Sequence, residues 1–262
     1  MTLNNKKIIK ISLISLIICL GLFLFIFFSV KYFTPEQWQL LGVATYETLL
    51  QTIISTILAY LVGIPVGVIL NITSKNGIKP NKYINFILGL IVNILRSVPC
   101  LILVVICMPW TRAWFVKGTG YWYTLLIPLF VTAFGFAARM VEQSLAEVPQ
   151  GEIEAVKSLG ASDFQIITKV LLPEAKSSLV SGLCVTAVTL LGYTSFAYNI
   201  AAGGLISQIY TYYSRNTGDF MSSWYFWALI IVVVVIVQLI QELGLYISKR
   251  IDKRRKLKWK KS

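Results

Sequence analysis

The chain has 262 residues, of which 56% are hydrophobic and 13% charged, with a mean hydropathy of +0.74 and a formal net charge of +13. Soluble domains carry about a quarter charged residues, so this composition excludes a water-soluble globule and points to an all-α, polytopic membrane protein. The absence of histidine removes the commonest metal ligand and the commonest general base at neutral pH, and basic residues placed between apolar blocks argue against nucleic acid as a partner.

A hydrocarbon core of about 30 Å takes about 20 helical residues to cross. Stretches of that kind lie near 8–30, 49–70, 84–108, 123–140, 178–200 and 224–247, which predicts about six transmembrane helices. The first follows Lys6, Lys7 and Lys10 but is long for a signal peptide and lacks a small-residue cleavage site, so it reads as an uncleaved helix. Cys19, Cys100, Cys107 and Cys184 each sit inside an apolar block without a C-x-x-C pair, and read as small apolar side chains rather than disulfide or metal ligands.

In the second stretch Ser55, Ala59, Gly63 and Gly67 recur every fourth residue, with Pro65 beside them as a kink point. In lipid, close helix contact needs small side chains, so this is a helix-packing face, and Ser178, Gly182 and Thr186 repeat the theme later. Arg96 falls about midway through the third stretch, where a charge costs at least ~2.5 kcal/mol on insertion scales. Two readings stay open: Arg96 faces a pore or a helix interface, or it is structural, paired with Glu47, Glu142 or backbone carbonyls, or snorkelling inward from a span that starts later. Arg139 and Glu142, three apart, read as a local ion pair.

Between the fourth and fifth stretches the pattern is helix, break, helix, break. Pro149 suits a helix start, Ile153, Val156 and Leu159 make one apolar stripe, and Gly160 suits a left-handed helix end. Ser162 or Asp163 can cap a second helix with the stripe Phe164, Ile167, Val170 and Leu171, which Pro173 is expected to stop. The expectation is a projecting helical hairpin, either an amphipathic loop on the bilayer or a docking element.

If the N-terminus is cytoplasmic, the outer segments hold only Lys31, Arg112, Lys117 and Arg215, and every other basic residue except Arg96 lies inside. The positive-inside rule then places both termini in the cytoplasm. Trp38, Trp110, Trp114, Trp122, Trp224 and Trp227 fall at outer span ends, where indoles sit at headgroup level. The basic tail 249–262 reads as an anchor on anionic lipid.

The spacing Glu154-Ala155-Val156, three residues, Gly160, nine residues, Val170, one residue, Leu172-Pro173 resembles the EAA loop of ABC importer permeases, with Val156 and Val170 as mild departures. Further blocks resemble the methionine importer permeases: 46–49, 63–68, Asn93-Ile-Leu-Arg96-Ser97-Val-Pro99, 138–142, 169–175 and Leu191-Gly192-Tyr193. The likeness runs from about 43 to 248 and implies a five-helix permease core, with 1–42 adding one helix and an outer loop. It implies that the loop near 147–175 is a coupling element whose Glu154, Ala155, Gly160 and Ala161, with Pro173 closing the motif, meet an ATPase. It further implies two ATPase subunits carrying ATP and Mg, a second permease copy, an extracytoplasmic binding protein, and a bacterial cell membrane. Arg96, Ser97, Pro99 and Tyr193 are the candidates for the pore or substrate path. After Tyr193 the family is glycine-rich, whereas Phe196 and Tyr198 stand here, which bears on pore lining and substrate choice. No G-x-x-x-x-G-K-[ST] loop and no nucleophile–base pair occurs, so the chain itself is expected to be no enzyme and to hold no cofactor or metal. The competing functions are an importer permease for another small solute, such as a polar amino acid, and a stand-alone secondary transporter.

Overall fold

The computed structural model describes residues 25–114 and 120–252, which contain helices and turns and no strand. Helical residues 25–32 (α1) precede α2 (Pro35–Thr73), α3 (Lys82–Ser97) and α4 (Cys100–Trp114). A 3-10 turn, Trp122–Leu125, leads into α5 (Leu126–Ala146), and α6 (Gln150–Ser158) and α7 (Asp163–Ile166) follow. A π turn, Ile167–Leu171, joins α7 to α8 (Leu172–Glu174) and α9 (Lys176–Tyr193). A 3-10 segment, Thr194–Ile200, then leads to α10 (Leu205–Arg215) and α11 (Trp224–Ile251). Among the described residues four helices are long and apolar enough to cross a bilayer, or five crossings if α3 and α4 count as one bent span. The first expected span lies mostly outside the described residues.

Helix α2 starts earlier than its hydropathy indicates. Thr34 caps it, its hydroxyl accepting from Gln37 N while the Gln37 side chain accepts from Thr34 N, and Pro35 supplies a preset φ. Residues 35–42, expected in an outer loop, are therefore its first turns. The helix has 39 residues, about 58 Å long at 1.5 Å per residue, and runs through Pro65 without a break.

The centre of the bundle is the seam between α2 and α5. Ser55, Ala59, Gly63 and Gly67 are all buried in it. A Cβ on Gly63 would lie 2.9 Å from Ala137 Cβ, and one on Gly67 would lie 2.6 Å from the Ala138 carbonyl oxygen. The two backbones approach so closely because neither glycine carries a side chain. From the 3-10 turn and α5, Leu125, Leu129, Ala133, Ala137, Val141 and Leu145 extend one continuous apolar row down the core. Helix α9 packs on the same centre through Gly182, whose missing Cβ leaves room for the Tyr60 hydroxyl and Met140. Helix α11 closes against α9 through Gly244, which faces Cys184, and through Ser177 and Ser181, whose hydroxyls both bond Ser248 at 2.9 Å. Cys100, Cys107 and Cys184 are free thiols, and Cys19 lies outside the described residues.

The third expected span is not one helix. Helices α3 and α4 meet at 103° across Val98 and Pro99. Proline disfavours helical backbone in the residue before it and brings no N–H, so Val98 turns extended (φ −76°, ψ 125°) and α4 restarts beyond it. Pro99 O then accepts from Ile102 N and Leu103 N as the new helix begins. Hydropathy could not reveal the elbow, because the apolar stretch runs on across it from one arm to the other.

Candidate functional site

The hairpin is built by local rules and then rooted in the bundle. Helix α6 ends in a paired set of backbone bonds: Gly160 N donates to Lys157 O at 3.0 Å and Ala161 N to Val156 O at 3.3 Å. This is a Schellman ending, with Gly160 at φ +81° in the left-handed region and Val156 and Ala161 both packed on the core. Ser162 opens α7 through a capping box with Gln165. Ile153, Ile166 and Leu171 are buried in the same core cluster as α5, so the hairpin's inner side belongs to the transmembrane bundle.

Its outer side departs from expectation. Leu159 is 86% exposed and Phe164 73% exposed, so both leave the apolar stripes assigned to them. The chain reverses at the left-handed Gly160, and Glu154, Ala155, Leu159 and Phe164 around it are all exposed. Helical spacing groups Leu159 with Ile153 and Val156, and Phe164 with Ile167 and Leu171, but it does not tell which members of a stripe meet the bundle. Ala161 is half-buried and Pro173 exposed.

Pro173 does not stop the second helix. The chain continues from α7 through the π turn, where Leu172 N donates to Ile167 O, into α8 and past the proline to Glu174; Ala175, whose N donates to Leu171 O, is the one turn residue before α9. The wider π turn moves carbonyls away from the proline ring, which relieves the clash that would break an α-helix.

At the elbow, Arg96, Ser97 and Pro99 are exposed together. By helical rise, Arg96 stands about 21 Å along α3 from Lys82. Its guanidinium lies 5.9 Å from the Phe136 ring centre, its Cγ packs beside Gly135, and Ser97 bonds Asn93 O. Neither proposed carboxylate pairs with it. Glu142 forms an ion pair with Arg139, which also donates to Asn93 Oδ1 at 2.7 Å, and Glu47 accepts from Gly204 N at 2.8 Å. Tyr193 is half-buried at the end of α9 and stacks on Phe196, away from the Arg96 contacts. Phe196 packs against the core, whereas Tyr198 is 40% exposed and stacks on Tyr210 of α10.

The Glu47 bond is part of a clip that sequence reasoning missed. Thr48 Oγ1 accepts from Leu205 N at 2.7 Å, and Gln51 Nε2 donates to Ala202 O at 2.8 Å and Trp122 O at 3.1 Å. These three α2 side chains hold Ala201–Leu205, where Ala201, Gly203 and Gly204 all have positive φ. At Gly203 a Cβ would run into the Glu47 carboxylate. The adjacent glycines are the signal, but their partners lie 157 residues away in sequence.

Known proteins resemble this chain in sequence and fold. Residues 63–253 match the family model described as "Binding-protein-dependent transport system inner membrane component". A probable D-methionine transport system permease protein, MetI, of Pasteurella multocida is 40% identical over 222 residues, 84% of this chain and 100% of that protein. The methionine import system permease protein MetP of Bacillus subtilis is 40% identical over 228 residues, 86% of this chain and 99% of that protein. An inward-facing crystal form of the MetNI methionine ABC transporter superposes with a TM-score of 0.77 at 36% identity, covering 84% of this chain and 99% of that one.

Proposed function

The chain belongs to the family of binding-protein-dependent transport system inner membrane components, and on that footing we propose that it is the permease subunit of an ATP-driven importer for methionine or a close analogue. It forms the translocation path as one of two permease copies, in the bacterial cell membrane with both termini cytoplasmic. Two separate ATPase subunits drive it with ATP and Mg, and an extracytoplasmic binding protein delivers the solute. The observation that carries this reading is the hairpin. A projecting tip bearing Glu154, Ala155, Leu159 and Phe164 is continuous with a root buried in the core, so force on the tip reaches α5 and α9. In water, two exposed large apolar side chains at one tip are most economically covered by a partner protein.

The inner end of the molecule is then the hairpin end, and the elbow with Arg96, Ser97 and Pro99 lies deeper, toward the path. Arg96 is the residue best placed there to meet a solute carboxylate, having no carboxylate of its own among the described residues. Tyr193 contributes at the outer end of α9.

Reconstitution with the ATPase and binding protein tests the reading. Gly160→Trp should leave the chain in the membrane at normal level and reduce ATP-driven methionine uptake more than tenfold. Full uptake by that variant would refute the docking geometry. A second reading, an importer for another small solute, draws on the bulky Thr194–Ile200 segment. It requires that unlabelled methionine fail to compete for uptake while a polar amino acid does.

A further inference from the structure

We propose that the turn joining α2 to α3 is a binding site for the headgroup of an anionic phospholipid. Beside the turn lies a cavity of about 600 Å³ lined by Lys75, Lys82, Asn81, Asn85 and Phe86 among others, and no carboxylate lines it. Lys79 lies in the same turn, and Lys75, Lys79 and Lys82 are all exposed without an ion-pair partner among the described residues.

The turn is built as a fixed frame. Lys79 N donates to Ile72 O and Asn81 N to Thr73 O, both at 3.0 Å. Asn85 Nδ2 donates to Leu70 O at 2.8 Å and Thr73 Oγ1 at 3.2 Å, while Asn81 Oδ1 caps α3. The lysine stems therefore leave from a backbone already ordered, so binding an anion orders little further chain.

The apolar side of α3 settles what kind of anion. Tyr83, Phe86, Ile87, Leu90 and Ile94 are 81%, 67%, 56%, 48% and 53% exposed and follow one another at helical spacing. Only Val92 of this helix is buried. A basic cavity thus opens onto an apolar strip running about 17 Å along the helix axis. That is the form of a phospholipid, with its phosphate among the lysines and its acyl chains along the strip. A free phosphate would leave the strip unused, a protein approaching from water would reach the lysines but not Leu90 or Ile94, and a second copy of this chain, equally basic at this turn, would leave the lysines without counter-charge. The leaflet follows from the orientation proposed above; the chemistry of the site does not.

Fluorescence quenching tests this. A tryptophan placed by Phe86→Trp in the full-length chain would report brominated lipid beside the cavity, after subtracting the quenching of the unsubstituted chain. In phosphatidylcholine bilayers it should prefer brominated phosphatidylglycerol over brominated phosphatidylcholine about tenfold or more. Each lysine contributes about fivefold, from about 1 kcal/mol per basic residue near the surface. Lys75→Gln with Lys82→Gln should bring the ratio near one, whereas Lys249→Gln on α11 should leave it intact. Equal quenching by the two lipids would overturn the proposal, as would displacement of the lipid by millimolar inorganic phosphate. So would a double variant that keeps its lipid preference but loses the ATPase, which would assign the lysines to a protein partner.

Discussion

The seam between α2 and α5 and the elbow between α3 and α4 solve opposite problems in the same solvent. At the seam, Ala59 and Ala137 are fully buried and two glycines leave no room for even a Cβ. At the elbow, two helices of 16 and 15 residues meet at 103°, and a charged side chain stands exposed beside the break. Neither arm is long enough to cross a bilayer alone. A seam with no slack transmits motion as a rigid body, whereas an elbow offers a place for motion to end. A related division recurs at the ends of α9: the root near Ser177 is cross-bonded to α11 as regular helix, while the far end leaves the α-helix for a 3-10 segment and left-handed residues that the α2 clip holds.

The sharpest way to break this contrast is Gly67→Leu. Four added carbons would press on the Ala138 carbonyl and Val141, backbone and core that cannot yield, so folded protein should be lost altogether. Yield and thermal unfolding in detergent would show it; near-normal stability would mean that the seam has slack. Glu47→Ala comes next. It leaves Gly204 N unpaired, a cost of about 1–3 kcal/mol, and should raise hydrogen exchange at 201–205 while leaving the seam protected. Arg96→Ala should sharpen the contrast from the other side: assembly with the ATPase at normal level, with uptake reduced several-fold. If assembly falls instead, the elbow arginine is as structural as the seam. The smallest effect belongs to Ser162→Ala, which removes a cap worth about 1 kcal/mol and should lower the melting temperature slightly without changing uptake affinity.

What could be read in advance divides along the same line. The seam was legible because small residues four apart have few other uses in an apolar helix, and the hairpin because Gly160 and Ser162 carry local turn chemistry. The elbow was not: a hydropathy window sees Pro99 inside an apolar stretch and cannot give direction. The exposure of Leu159 and Phe164 was left open because helical spacing assigns a face without knowing whether bundle or open solvent lies opposite. The Glu47–Gly204 clip was out of reach because nothing local to either residue announces the other.

Pro173 and the π turn before it form one device, and that has a consequence for the chain's tolerance of length changes. A π turn holds one residue more than the α-helical path between the same two points. Trimming one residue from 167–171 would restore an ordinary helix without rotating α9 against α11, but would drive the proline ring into the carbonyl of the preceding turn. Such a trimmed chain should fold poorly, and should recover when Pro173→Ala is added. The same one-residue excision from the middle of α2 would swing everything beyond it by about 100°, and no second change at a single position could restore it.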